Sequence, residues 1–230
     1  MEAIILAGGK AERLGDAAGG RPKSLVEVGG KPLVAYQIGR LAQAGVTRVI
    51  MSCAIEQGEL FTAELQDLGV EIATAEEPER LGRGGGIKFA ARERRETGDV
   101  FALNGDELVD VDFGALLALH RQTAAAVTVA VARPKSPFGV VDLGDDDVIE
   151  GFSEGGRIPY WVNCGIYVFS EEAVERLPDK GDHETTTFPE LVEERRLQAY
   201  RHEGLWLTVN TPKELRTAGE HMAAHPEWLA

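Results

Sequence analysis

The chain opens on an apolar run of strand length, Ala3-Ile4-Ile5-Leu6-Ala7, which empties into Gly8-Gly9 and then into a loop carrying Arg13 and, after Arg21-Pro22, Lys23. In open α/β sheets ligands bind beyond the carboxyl ends of the strands, and consecutive backbone amides in a glycine turn form an anion-binding concavity. Two glycines after a strand also suit an ordinary turn that needs positive φ. The two cations spaced behind them tilt the reading toward a polyphosphate site.

The following segments repeat the theme. Gly29-Gly30 leads into Lys31-Pro32, where proline suits a first helical position, and Val34, Ile38, Leu41 and Ala42 recur at helical spacing until Gly45. The pattern predicts strands over 46–54 and 70–73 with a helix over 60–68 between them. Such alternation predicts a mostly parallel sheet with helices on both faces. Further strands are predicted over 100–103, 127–132 and 160–169, and Ser170 caps a helix. Residues 138–143 and 148–152 read as an antiparallel hairpin inserted into this α/β chain. No Pro/Ser-rich linker interrupts residues 1–230, so a single domain is expected.

Net charge is −14, from 24 Lys+Arg against 38 Asp+Glu, which repels nucleic acid and anionic membrane. An anionic ligand must therefore be met by cations placed locally. No apolar stretch approaches a membrane span and no charged-then-apolar leader precedes the first strand, so a soluble, cytoplasmic protein is expected. Cys53 and Cys164 lie far apart without a CxxC pattern and read as reduced core thiols.

Three more stretches carry chemistry. Glu76 to Lys88 includes Gly84-Gly85-Gly86 at the start of a helix reaching about Arg95. Three glycines weaken a helix, so either a ligand approaching the backbone or a flexible surface loop is expected there. The strand 100–103 ends in Asn104-Gly105-Asp106-Glu107, which puts a carboxylate where a Mg²⁺ ligand would have to stand, on the side of the phosphate loop. Thr211-Pro212-Lys213-Glu214 has the form of a capping box and holds Asn210 just outside a fixed helix start. Asp112 reads as the cap of a helix over 113–122, and Asp145-Asp146-Asp147 as a solvated turn rather than a metal cluster. His221 and His225, four apart on the last helix, lack the acidic partner of a zinc motif.

The opening loop, Leu81-Gly82 with the three glycines, Asn104-Gly105-Asp106, Phe138-Gly139-Val140, the run Asn163 to Phe169 and the run Trp206 to Leu215 occur in the order seen in sugar-1-phosphate nucleotidylyltransferases. The chain resembles most the short branch of heptose- and mannose-1-phosphate guanylyltransferases, with N-acetylmuramate-1-phosphate uridylyltransferases close by. The resemblance implies a GT-A-like, Rossmann-type α/β/α fold, with a nucleotide-binding half over about 1–133 and a sugar-phosphate half over about 134–230. It implies the reaction of an NTP with a sugar 1-phosphate to give an NDP-sugar and pyrophosphate, with Mg²⁺ as cofactor.

On this resemblance Leu6, Ala7, Gly8, Gly9 and Gly105 line the nucleotide, Arg13 neutralises the leaving phosphates, and Lys23 bridges the α-phosphate and the incoming sugar phosphate. Asp106 and Asn210 hold the metal. Glu77 reads the base edge above Gly82. A carboxylate only accepts, which suits the N1–H and N2–H₂ donors of guanine and favours GTP over UTP. Gly139, Glu154 and Asn163 face the sugar, Asn104 fixes the loop of Asp106, and Arg157 stands in for an absent lysine. Departures are Ala11-Glu12 in place of Gly-Thr, Gly155-Gly156 in place of Lys-Pro, and Thr208 in place of a late aspartate. A GT-A glycosyltransferase using Asp110-Val111-Asp112 for metal, or a non-catalytic nucleotide-sugar sensor, are the alternatives. The sequence leaves a monomer and a homo-oligomer equally open.

Overall fold

Ala3 and Ile5 belong to one buried cluster and Ile4 to another, so the first strand feeds two cores with the period of two that a strand imposes. The computed structural model describes residues 1–9, 11–136, 138–225 and Trp228. It contains β1 (Glu2–Leu6), β2 (Glu27–Val28), β3 (Lys31–Pro32), α1 (Leu33–Gln43), β4 (Arg48–Ala54), α2 (Gly58–Leu65), β5 (Glu71–Glu77) and α3 (Gly82–Ala90). Then follow β6 (Val100–Asn104), β7 (Glu107–Val109), α4 (Phe113–Thr123), β8 (Val127–Ala132), β9 (Val140–Leu143) and β10 (Ile149–Ser153). The chain ends with β11 (Val162–Phe169), α5 (Glu171–Glu175), α6 (Thr187–Glu193), β12 (Leu197–Arg201), β13 (Trp206–Thr208) and α7 (Pro212–Ala224).

Seven strands form one sheet in the order β12-β8-β11-β6-β1-β4-β5. All neighbours are parallel except β11, which runs against both β6 and β8. Ile38, Phe61, Phe113 and Leu116 from α1, α2 and α4 cover one face. Ile87, Val174 and Leu191 from α3, α5 and α6 cover the other, giving three layers. β7 and β13 pair antiparallel beneath α7, whose Ala218 and Met222 pack with Leu108 and Val209. β9 and β10 form the expected hairpin. Among the described residues no helix is long and apolar enough to cross a membrane. Cys53 and Cys164 are buried and unpaired, and burial pushes both thiols up to about 12.

Three local expectations change. Pro32 sits in β3 opposite Glu27, and the helix begins one residue later. β5 runs on to Glu77, and β12 is a strand that the apolar pattern does not announce. Both are the edges of the sheet, where only part of each strand is buried, so polar residues interrupt the apolar signal. Gly84, Gly85 and Gly86 lie inside α3 and are buried. What approaches them is the chain itself: a Cβ on Gly84 would lie 2.9 Å from His183 N, and one on Gly85 2.7 Å from Asp179 O. Gly84 and Gly85 let the 178–183 segment dock on α3, their N–H groups donating to Gly181 O at 2.9 and 3.1 Å, whereas a Cβ on Gly86 would meet Glu77 Oε1 at 2.9 Å and Leu6 Cδ2 at 3.0 Å.

Candidate active site

Beyond Leu6 the backbone turns through Gly8 and Gly9, while Gly105 N, just past β6, donates to Leu6 O at 2.9 Å. A side chain at Gly105 would meet Leu6 O at 2.8 Å, so the adjoining ends of β1 and β6 stay open only with glycine there. The chain then passes a 3₁₀ turn, Glu12–Ala18, and a second one, Lys23–Leu25, which buries Lys23. Lys23 Nζ lies 2.5 Å from Asp106 Oδ2 and 2.7 Å from Asn210 Oδ1. Arg13 Nη2 donates to the same Asn210 oxygen at 3.0 Å. Residues 13, 23, 106 and 210, distant in sequence, thus meet at the carboxyl edge of the sheet.

The first three of these border a cleft of about 770 Å³ lined by eleven of the expected residues: Leu6, Ala7, Gly8, Gly9, Arg13, Lys23, Glu77, Gly82, Asn104, Gly105 and Asp106. This is the size of a small-molecule site. Arg80, Arg83, Glu107 and Asp182 also line it, and the motifs do not announce them. Glu107 is the most informative of these. Burial, against an opposing hydrogen bond from Trp206 Nε1 at 2.7 Å, pushes its carboxyl up to about 7. β13 pairs with β7 with Thr208 opposite Glu107 and Trp206 opposite Val109, so the indole reaches the Glu107 carboxylate from two residues along the strand. Glu12 lines the cleft as well, beside Arg13.

Asn210 is held from behind. Glu214 accepts Asn210 N and Thr211 N at 2.9 Å each, and the hydroxyls of Thr208 and Thr211 at 3.0 Å each. The predicted capping box is present, with Pro212 in the first turn. Thr208, which replaces an expected aspartate, therefore supports Glu214 instead of offering a carboxylate to the cleft.

Glu77 ends β5 with both carboxylate oxygens engaged, one by Ser52 Oγ at 2.7 Å and the other by Leu81 N at 3.1 Å. Gly82, at φ +77°, lies against Gly181. On the other side of the cleft Asn163 donates to Tyr167 OH at 2.8 Å and accepts Gly165 N at 2.8 Å. Asn104 packs directly on Gly165. Gly139 faces the Phe152 ring, Glu154 is exposed, and Arg157 Nη1 donates to Arg133 O at 2.6 Å. Gly139, Glu154, Arg157 and Asn163 are outside the lining of the cleft, and so is Asn210, which meets it only through its bonds from Lys23 and Arg13. Asp112 caps α4 by accepting Ala115 N, and Asp110 accepts Leu205 N at 2.6 Å and faces His202 Nε2 at 2.9 Å. Both carboxylates of the Asp110-Val111-Asp112 motif thus have structural partners, which weighs against the glycosyltransferase reading.

The donor set fits a hard divalent cation. Asp106 and Asn210 turn oxygens toward one point, now held by the Lys23 ammonium. Among the described residues no group of three or more His, Cys, Asp or Glu is arranged for a metal. One carboxylate and one amide oxygen suit Mg²⁺, which takes few protein ligands and completes its shell from water and substrate phosphates.

Residues 2–225 match the family described as nucleotidyl transferase. The chain is 31% identical to mannose-1-phosphate guanyltransferase 2 of Candida glabrata, over all of this chain and 68% of that protein. It is 32% identical to mannose-1-phosphate guanylyltransferase of Mycobacterium tuberculosis, over 93% of this chain and 62% of that protein. It therefore spans about two thirds of the length of these relatives. In fold it is similar to HddC from Yersinia pseudotuberculosis complexed with GMP-PN, with a TM-score of 0.73 at 23% identity, covering 96% of this chain and 99% of that one.

Proposed function

The chain belongs to the nucleotidyl transferase family, and on that premise we propose that it transfers a guanylyl group from GTP to a manno-configured hexose or heptose 1-phosphate, releasing pyrophosphate. The observation that carries the proposal is Lys23, whose ammonium stands at the mouth of the Gly8-Gly9 turn between Asp106 and Asn210. The names of the relatives support GTP and mannose 1-phosphate.

The reaction brings an anionic phosphate oxygen onto an anionic phosphorus, so like charges must be neutralised before the reactants approach. No protein nucleophile is required, because the sugar phosphate is already ionised at neutral pH. Backbone amides at Gly8 and Gly9 receive the triphosphate. Arg13 offsets charge growing on the departing pyrophosphate, while Lys23 bridges the α-phosphate and the attacking oxygen. Asp106 and Asn210 would hold Mg²⁺, which when bound draws the triphosphate into shape and stabilises its developing charge. With an acceptor bound, the Lys23 ammonium exchanges part of its bond to Asp106 for phosphate oxygens. Glu77, fixed by Ser52 and Leu81, still has lone pairs to accept the guanine N1–H and N2–H₂ above Gly82. Gly139, Glu154, Asn163 and Arg157 belong to the half that receives the sugar phosphate, with Asn104 steadying the Asp106 loop. The buried, unpaired cysteines agree with a cytoplasmic location.

A matrix of four NTPs against a panel of sugar 1-phosphates, scored by pyrophosphate, tests this. Release confined to GTP with manno-configured acceptors is expected. Release with UTP alone would transfer the proposal to the uridylyl branch, and tight NDP-sugar binding without turnover would make the protein a sensor.

A further inference from the structure

Beyond the reacting centre, the same edge of the sheet carries a group of cations of which the proposed chemistry places only Arg157, in the half that receives the sugar phosphate. Arg133 and Arg201 lie over the two-ring system of Trp161, at 4.9 and 5.4 Å from its centroid. Arg157 donates to Arg133 O at 2.6 Å, and its backbone bridges to Lys135. None of these four cations has a carboxylate in ion-pair range among the described residues, in a chain whose net charge is −14. Acidic partners are abundant, and elsewhere arginines such as Arg83, Arg176 and Arg196 have found them.

Topology fixes where this group stands. Arg133 follows β8, Arg201 ends β12, and Trp161 precedes β11, which runs the opposite way. All three are therefore at the edge where β1 and β6 open into the cleft. β6, which delivers Asp106, and β8 are two places apart in the sheet, roughly 10 Å at the usual strand spacing. That is about the reach of one pyranose with its substituents. A guanidinium stacked on an aromatic face keeps its in-plane N–H donors free and loses little freedom when it binds a carboxylate or phosphate.

We propose that Arg133, Arg157, Arg201 and Lys135, arranged on Trp161, hold a second anionic group, a carboxylate or a phosphate, on the sugar acceptor at the end away from its reacting 1-phosphate. The inference rests on the nucleotidyl-transfer reading for the identity of the acceptor. It names the acceptor class as sugar 1-phosphates that carry a further negative charge. It also gives Arg157 a different partner from the reacting phosphate, in keeping with its position outside the cleft lining.

The test is calorimetric binding to the full chain, with mannose 1-phosphate, mannose 1,6-bisphosphate and mannuronic acid 1-phosphate as probes, beside pyrophosphate release from GTP with each. At least one doubly anionic probe is expected to bind about tenfold more tightly than mannose 1-phosphate, the scale of one charged hydrogen bond. The two doubly anionic probes tell phosphate from carboxylate. Arg133→Gln and Arg201→Gln, each checked for wild-type melting, should remove that preference and leave binding of mannose 1-phosphate unchanged. Equal binding of all three probes overturns the inference. So does an equal loss with mannose 1-phosphate in both variants, which would assign the group to the 1-phosphate. Absence of turnover with every acceptor, despite the binding preference, would count against the transfer reaction and not against the anion site.

Discussion

Replacing Glu214 probes how the metal-side oxygen is positioned, because this carboxylate fixes Asn210, whose Oδ1 accepts from the cleft-lining Lys23 and Arg13. It accepts two backbone N–H groups and two hydroxyls from residues 208–211. Burial opposes its charge, but these donors outweigh burial and hold the carboxyl below its usual range. Glu214→Ala removes a capping box, worth about 1–2 kcal/mol of stability. For a chain of this size that is a fall in Tm of roughly 2–8 °C. Asn210, freed from behind, then moves relative to Lys23 and Arg13. A displacement near 1 Å at a reacting centre costs on the order of 10²-fold in rate. The expected outcome is a fall in kcat of about 10- to 100-fold with GTP KM nearly unchanged, measured by pyrophosphate release well below the melting transition. Glu214→Gln keeps one acceptor and should lie between the two. Wild-type kcat in Glu214→Ala, with the Tm loss present, would refute the positioning role and leave only a helix cap.

Other perturbations address the frame of the site. His183 is fully buried with neither ring nitrogen hydrogen-bonded, and burial foremost, then Arg83, pushes its pKa from 6.5 to about 4. The unfolded chain therefore takes up its proton first, so stability is whole above pH 6.5 and declines as pH falls toward 4, by about 3 kcal/mol in all. His183→Leu should flatten that decline in urea melts at pH 7 and pH 4, and an unchanged slope would contradict it. Gly85→Ala would place a methyl 2.7 Å from Asp179 O, on backbone that cannot yield, and should cost about 1–3 kcal/mol despite better helix propensity. Gly39→Ala in α1, where nothing lies within 4 Å, should instead stabilise by about 0.5–1 kcal/mol. Stabilisation by Gly85→Ala would undo the docking argument for the glycine run.

The contrast between these two glycines also shows where the sequence was legible. Gly8, Gly9, Arg13, Lys23 and Asp106 could be read because short motifs follow strands, and the local rule that a strand's carboxyl end carries ligands brings them together. Thr211 to Glu214 could be read because capping chemistry is contained in four residues. The meaning of Gly84 and Gly85 could not, since it depends on residues 178–183, and that of Gly86 depends on Leu6, Ser52 and Glu77; none of these shares a local pattern with α3. Glu107 was silent for the same reason: its environment comes from Trp206, about a hundred positions away. The far end of β5 and the whole of β12 were hidden because partial exposure breaks the apolar run by which the inner strands declare themselves. The antiparallel course of β11 is likewise a property of its neighbours, not of its own residues.

The central claim is that the Lys23 ammonium, between Asp106 and Asn210, does its work on a phosphate. Sugar-1-phosphate-dependent release of pyrophosphate from GTP, compared between the wild-type chain and Lys23→Ala of equal Tm, addresses it most directly. Release by the wild type in step with GDP-sugar, and a fall of about 10²- to 10³-fold in the variant, is the predicted result. Undiminished release by Lys23→Ala would contradict it.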